Sequence, residues 1–212
     1  VPTFMDIFAS YDAELPLITQ SLIWVSNFFQ KYILLIIVVI AAIVLLFKLY
    51  ANTEKGRMNV AKLALKLPVL GNVTLLSAAS EFAANLTTLI GAGLQLTRAV
   101  SITARVINNY YISQSVGKMT SRLEEGHTLG ECMREANCLP DILVDMTAVG
   151  EETGELEGTL HTVSGYYESE LDMAVQDVLK KLEPTLLIFM AVVAGYIVLA
   201  VYIAMFQMYS VM

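Results

Sequence analysis

Apolar residues are concentrated in two uncharged stretches of this chain, and between them they recur at helical spacing. The first stretch runs from Tyr32 to Phe47 and the second from Thr185 to Met212. A helix rises about 1.5 Å per residue, and the hydrocarbon core of a membrane is about 30 Å thick. The second stretch is long enough to cross it, and the first is long enough once its flanks are included. The pattern therefore predicts two transmembrane helices, 31–50 and 184–212.

In the segment before the first predicted span, apolar and polar residues are interleaved. Leu17, Trp24 and Phe28 are interleaved with residues such as Gln20 and Asn27. An amphipathic helix of this kind lies along a membrane surface. We therefore expect residues 1–30 to form a short outer loop followed by an interfacial helix, with Pro16 in the first turn of that helix.

The region 51–183 shows helical periodicity and no strand signals. Its glycines mark helix ends: Gly91 and Gly93 are expected to stop the first helix, Gly126 the third and Gly150 the fifth. Pro140 is expected to be the first residue of the fifth helix. The predicted helices cover 75–89, 96–107, 110–125, 129–136, 140–150 and 156–182. The predicted fold class is an all-α membrane protein, with two transmembrane helices flanking a cytoplasmic bundle of about six helices.

The last helix of this region carries an apolar stripe from Leu156 to Leu182, in which successive residues lie three or four positions apart. One face of a helix is marked in this way. The stripe leads to Glu183 and Pro184, which we interpret as the junction with the membrane. We expect the helix to continue from there into the second span.

Basic residues near the predicted spans indicate how the chain is oriented. Seven lie between the spans and close to them, whereas the N-terminal side has only Lys31 and nothing basic follows Thr185. Positively charged residues stay on the cytoplasmic side of a membrane. The sequence therefore predicts that residues 51–183 are cytoplasmic and that both ends of the chain lie outside. The seven residues are Lys48, Lys55, Arg57, Lys62, Lys66, Lys180 and Lys181.

Charge is unevenly distributed within the region between the spans. Residues 48–123 hold nine basic and two acidic residues, a net charge of +7, whereas residues 124–183 hold three basic and fifteen acidic residues, a net charge of −12. Solvated helix faces are one explanation. A docking surface for a basic partner, or for the basic half of a neighbouring copy, is the other.

Carboxylates cluster in one short segment, Gly150-Glu151-Glu152-Thr153-Gly154-Glu155-Leu156-Glu157. Two glycines four residues apart predict a tight turn between helices. The acidic residues would then lie at the start of the long helix, where its dipole stabilises them. A contact with a partner, or a site for a hard cation such as calcium, are the alternatives. We predict no bound metal, since no calcium-loop spacing is present.

The composition and the missing motifs exclude several classes of function. The chain is 56% hydrophobic and 16% charged, with a net charge of −7, which argues against nucleic-acid binding. Neither span has a charged residue in its core, as an ion pathway would require. The sequence has no phosphate-binding loop and no hydrolase motif, and the spacing of Cys132 and Cys138 predicts two free thiols. We therefore expect no catalytic residues and no cofactor.

Because the sequence starts at Val1, we expect the natural protein to extend further toward its N-terminus.

The segment from Gly150 to Leu156 resembles the hallmark of the type II secretion F family, which comprises inner-membrane platform proteins of type II secretion systems and type IV pili. Other segments agree in order along the whole chain. They are Glu14-Leu15-Pro16, Phe82-Ala83, Gly91-Ala92-Gly93, Tyr166-Tyr167-Glu168 and Glu183-Pro184. By this resemblance the chain corresponds to the C-terminal half of such a protein.

The resemblance implies a non-enzymatic role in the bacterial inner membrane. Such proteins oligomerise, contact other inner-membrane assembly proteins, and couple a cytoplasmic ATPase to the insertion or extraction of pilins or pseudopilins. The segment 150–155 would then be a possible partner contact. The alternative function is a helical membrane receptor that relays a signal, but residues 1–30 are too few to make a sensory domain. A membrane-embedded enzyme would need polar residues inside the spans.

Overall fold

The computed structural model describes residues 17–68 and 70–211, and all regular secondary structure in this part of the chain is α-helical. The all-α fold class is therefore confirmed. The expectations for the outer loop and for Pro16 lie outside the described residues. The helices are α1 (Leu17–Ala51), α2 (Glu54–Lys66), α3 (Leu70–Gly91), α4 (Leu96–Val106), α5 (Tyr110–Glu124), α6 (Leu129–Ala136), α7 (Asp141–Thr153) and α8 (Leu156–Val211).

The chain divides into two compact units. The first, which we call the apolar unit, comprises Val1–Lys48 and Lys180–Met212, and the second, which we call the bundle, comprises Leu49–Leu179. The helix α8 contributes residues to both units, because it is one helix of 56 residues with Pro184 in its interior. The expected continuation of the last bundle helix past Pro184 is thus present.

The apolar unit exposes large hydrophobic side chains along both of its helices. Leu34 is 74% exposed and Val198 is 65% exposed. Water does not tolerate so large an apolar surface, whereas lipid does. Helix α1 is uninterrupted over 35 residues, so the predicted interfacial segment and the first span form one helix. Both α1 and α8 are long and apolar enough to cross a membrane.

A third helix, α3, is also long and apolar enough to cross a membrane by its length and composition. Its apolar residues have another use, since Ala79, Phe82, Ala83 and Leu86 are fully buried in the bundle core. A helix that packs its apolar face against protein neighbours is a bundle helix. Helix α3 therefore belongs to the bundle.

The bundle core is formed by one face each of α3 to α7 and by the beginning of α8. Leu160, Val163 and Tyr167 of α8 are buried, and they belong to the stripe predicted from the sequence. The largest fully buried side chains are Phe82, Leu86, Ile112, Leu129, Met133, Leu143 and Leu160. Burying one such side chain contributes roughly 1.5–3 kcal/mol.

The turn between α4 and α5 is held by two asparagines and an acidic residue of α3. The Asn109 side chain accepts hydrogen bonds from the backbone N–H groups of Tyr111 and Ile112 and donates one to the Ala61 carbonyl at 3.1 Å. Asn108 donates to Glu81 through both its backbone N–H and its side-chain amide. The break predicted at these asparagines is thus a capped helix start tied to α2 and α3.

Helix α2 was not predicted from the sequence. Only Gly56 and Ala61 of α2 are buried, so this helix has no apolar stripe to recognise. Its start is fixed by Thr53, whose hydroxyl accepts a hydrogen bond from the Gly56 N–H at 3.1 Å. The bundle therefore contains one helix more than the six predicted.

The bounds of α3 and α7 differ from those predicted. Helix α3 begins at Leu70 and not near Leu75. Helix α7 continues past Gly150 to Thr153, and Pro140 is its N-cap residue, directly before the first helical residue. The physical reason is that Gly150 is buried inside the helix, while Gly154 has the left-handed φ of 76° that ends it.

Candidate functional site

The carboxylate of Glu151 joins the end of α7 to the start of α6. Its Oε1 accepts a hydrogen bond from the Leu129 N–H at 2.8 Å, and its Oε2 accepts one from the Gly130 N–H at 3.0 Å. The first N–H groups of a helix have no partner within the helix and carry partial positive charge. Glu151 therefore caps α6 from a position more than 20 residues away in the sequence.

A local capping box satisfies the remaining N–H groups at this end of α6. The Thr128 hydroxyl accepts from the Glu131 N–H at 3.2 Å, and the Glu131 carboxylate accepts from the Thr128 N–H at 3.3 Å. This backbone hydrogen bond holds the pKa of Glu131 below its ordinary value. The Thr-x-x-Glu spacing of a capping box is the sequence signal that could have predicted this helix start.

Two glycines allow helices to approach closely around this cap. A Cβ atom on Gly130 would lie 2.7 Å from the Ala148 Cβ, so glycine is required where α6 meets α7. A Cβ atom on Gly150 would lie 2.8 Å from the Thr159 Cβ, where α7 meets α8. Gly150 is therefore a packing residue, and the prediction that it lies in a turn was wrong.

The end of α3 lies beside the start of α8. A Cβ atom on Gly91 would lie 2.8 Å from the Glu157 Oε1, and Gly93 has a left-handed φ of 80° in the turn that follows. The segment around Gly91 and the segment 150–157 thus meet in one place. This contact was not predictable, because Gly91 and Glu157 are 66 positions apart in the sequence.

The acidic residues of this segment lie on two different helices. Glu151 and Glu152 are in the last turn of α7, and only Glu155 and Glu157 lie at the start of α8, so the prediction that all of them sit at the start of the long helix was wrong. Glu152 and Glu155 are exposed. Neither side chain makes a hydrogen bond or an ion pair within the residues that the structure describes. Both side chains therefore remain available to a partner.

The hard-cation alternative gains no support from the geometry. Within 17–68 and 70–211, no three His, Cys, Asp or Glu side chains are grouped so that they could hold a metal ion. Both oxygens of Glu151 already accept backbone hydrogen bonds. His127 lies 3.6 Å from the Glu131 carboxylate, as part of the capping region of α6.

Cys132 and Cys138 are buried free thiols. Burial raises the pKa of both, that of Cys138 to about 11. Because only the thiolate reacts, about one Cys138 in a thousand is reactive at pH 8. We expect a maleimide to label both residues at least tenfold more slowly in the folded protein than in denaturant, with the rate for Cys138 rising as the pH approaches 11. Equal rates in the two states would contradict this placement of the thiols.

Comparison with known proteins identifies the family. Residues 82–204 match the family described as Type II secretion system (T2SS), protein F. The chain is 33% identical over 212 residues to the type IV pilus assembly protein PilC of Pseudomonas aeruginosa, covering all of this chain and 57% of that protein. It is 31% identical over 208 residues to PilC of Thermus thermophilus, covering 98% of this chain and 51% of that protein.

A secretion protein is also among the relatives. The chain is 28% identical over 201 residues to the type II secretion system protein F of Aeromonas hydrophila, covering 95% of this chain and 52% of that protein. The chain thus spans about half the length of the curated relatives that it matches. The matched region contains the buried Phe82, the glycine turn after α3, the Glu151 cap and most of α8. This chain belongs to the type II secretion system protein F family.

Proposed function

We propose that the chain is part of the inner-membrane platform of a type IV pilus or a type II secretion machine. The observation that supports this most strongly is the 33% identity to a pilus assembly protein over all 212 residues. Three pilus assembly proteins are 31–33% identical to the chain, whereas three type II secretion proteins are 24–29% identical, so the pilus is the first system to test.

In this proposal the bundle faces the cytoplasm, and the helices α1 and α8 cross the membrane. The support is the sevenfold excess of basic residues on the bundle side of the spans. This orientation gives the bundle access to a cytoplasmic ATPase. It leaves the two apolar helices to contact pilins, pseudopilins and other inner-membrane assembly proteins.

The role we propose for α8 is to transmit movement from the bundle to the membrane. Its first turns pack against α7 at Gly150 and against the end of α3 at Gly91, and its later turns belong to the apolar unit. A displacement imposed on the bundle by an ATPase would therefore act on one end of a helix that runs on into the apolar unit. Glu152 and Glu155 are the exposed carboxylates through which we propose that a partner engages the segment.

A flexible insertion in α8 tests this role. We expect a Gly-Ser-Gly-Ser-Gly-Ser-Gly insertion after Lys181 to abolish pilus or secretion output while leaving the amount of protein in the membrane unchanged. A seven-residue alanine-rich insertion at the same place is the matched control, because seven residues add about two full helical turns and keep the register. We expect the control to retain most of the output.

Equal output from the two insertions, whether high or low, would contradict transmission through a continuous helix.

A second experiment separates the platform from the receptor alternative. A tagged full-length protein should co-purify with a secretion or pilus ATPase and with pilins. Recovery of a histidine kinase instead would favour a receptor.

A further inference from the structure

Two exposed faces of the bundle combine apolar side chains with opposite charges. The first, which we call the acidic face, lies on α7 and carries Ile142, Met146 and Val149, which are 55%, 38% and 52% exposed. Their spacing of four and three residues puts them in one stripe on the helix. Asp145 and Glu152 flank this stripe and are exposed. Asp145 forms an ion pair with Arg134 of α6 at 3.3 Å, so Glu152 is the carboxylate of this face with no ion-pair partner in the described residues.

The second, which we call the basic face, lies at the end of α2 and in the turn that follows. It carries Leu63, Leu67 and Leu70, which are 60%, 42% and 54% exposed. Lys55 and Lys66 lie on the same side of α2, since eleven residues make three helical turns. Both lysines are exposed, and neither has an ion-pair partner in the described part of the chain.

We propose that the acidic face of one copy of this chain binds the basic face of a second copy. Exposed apolar stripes rimmed by charge mark interaction surfaces. The proposal deepens the oligomeric platform proposed above and rests on it. It commits to a head-to-tail contact between copies, in which α7 of one bundle lies against α2 and the α2–α3 turn of the next.

The opposite charges of the two faces favour a head-to-tail contact. Residues 124–183, which include the acidic face, carry a net charge of −12, and residues 48–123, which include the basic face, carry +7. Two acidic faces placed opposite each other would juxtapose like charges, which is unfavourable, whereas acidic against basic is favourable. One copy carries both faces, so a second copy is a complete partner.

Anchoring of every copy in the same membrane restricts which oligomers this contact can form. A contact between two different surfaces leaves one face of each kind free and therefore repeats. Copies anchored in one bilayer are related by rotation about the membrane normal. Repetition of the contact therefore gives a ring or an arc around such an axis.

Cysteine crosslinking in membranes tests the contact. Two differently tagged full-length chains, one with Met146→Cys and the other with Leu63→Cys, are co-expressed and treated with a short bis-maleimide. We expect a mixed dimer at least tenfold above that from Leu63→Cys paired with His161→Cys, an exposed position outside both faces. The buried Cys132 and Cys138 give a low background.

A charge swap provides the second readout. Glu152→Lys and Lys66→Glu should each lower the yield of the mixed dimer about fivefold, and both changes in one chain should restore it, because every contact then pairs the exchanged charges. Neither residue has a partner within its own bundle, so restoration is not expected from a structural defect.

Three results would overturn the proposal: a dimer between two Met146→Cys chains in place of the mixed dimer, no mixed dimer, or no restoration by the double variant. The assay needs neither an ATPase nor pilins. The contact and the proposed function can therefore fail separately. If the mixed dimer forms but pilus and secretion output do not depend on this protein, the proposed function is contradicted and the contact between copies is supported.

Discussion

Replacing Gly130 with valine is expected to lower the free energy of unfolding of the bundle by about 3 kcal/mol. Small-to-large changes in a packed interior cost roughly 1–3 kcal/mol, and we expect the upper end of this range because the valine side chain is branched. Even the first added carbon would lie 2.7 Å from the Ala148 Cβ and 3.0 Å from the Ala148 Cα. Because the Ala148 Cα is a backbone atom, no change of side-chain rotamer can relieve this overlap. Helices α6 and α7 must therefore separate.

The buried thiols provide the measurement for this variant. The only tryptophan, Trp24, lies in the apolar unit, so tryptophan fluorescence does not report on the bundle. Labelling of Cys132 and Cys138 in the detergent-solubilised full chain does, because these thiols react only when the bundle opens. A loss of 3 kcal/mol corresponds to an increase of about a hundredfold in the opening equilibrium.

Gly158→Ala is the matched control, because a Cβ atom at Gly158 would meet nothing within 4 Å. Alanine is the better helix former by roughly 1 kcal/mol, so this variant should label no faster than the original chain. Fast labelling of both variants would show that any glycine replacement disturbs the bundle. Slow labelling of Gly130→Val would show that α6 and α7 are not in close contact.

Replacing Glu151 with alanine is expected to destabilise the bundle by about 2 kcal/mol, because hydrogen bonds to a charged group are worth roughly 1.5–3 kcal/mol each and this carboxylate is only half-buried. The variant leaves the N–H groups of Leu129 and Gly130 without an acceptor. Cys132 lies on the same helix, so its labelling should accelerate about thirtyfold.

The matched control is Glu152→Ala, which removes the neighbouring carboxylate of the same helix. Glu152 is exposed and makes no hydrogen bond in the described residues, so its loss should change stability by less than about 0.5 kcal/mol. Glu151→Gln keeps one acceptor oxygen and should fall between the two alanine variants. If the two alanine variants label equally fast, the cap does not stabilise α6.

The sequence was most informative where structure depends on local composition. The uncharged runs around Val39 and Val193 are sufficient to predict helices that lipid accepts, because hydropathy and length are properties of one segment. Turns at Gly93 and Gly126 were equally accessible, since glycine readily adopts the left-handed φ values of 80° and 95° found there.

Features that depend on contacts between distant segments were not predictable in this way. Nothing in the sequence around Glu151 indicates that its carboxylate reaches Leu129, and nothing around Gly150 distinguishes a packing glycine from a turn glycine. Helix α2 was missed for a related reason, since it is held by the Thr53 cap and by the hydrogen bond from Asn109 to the Ala61 carbonyl, and not by an apolar stripe. The family hallmark was recognisable as a pattern before its physical purpose was visible.

The location of the bundle is the claim on which the platform function rests. Single cysteines at Lys62, in α2 of the bundle, and at Lys180, the first residue of α8 after the bundle, can be probed with a membrane-impermeant maleimide in intact cells. We predict no labelling at either position until the cells are permeabilised, and immediate labelling of Asp12→Cys, on the side predicted to be outside. Labelling of Lys62→Cys and Lys180→Cys in intact cells would place the bundle outside and contradict its access to a cytoplasmic ATPase.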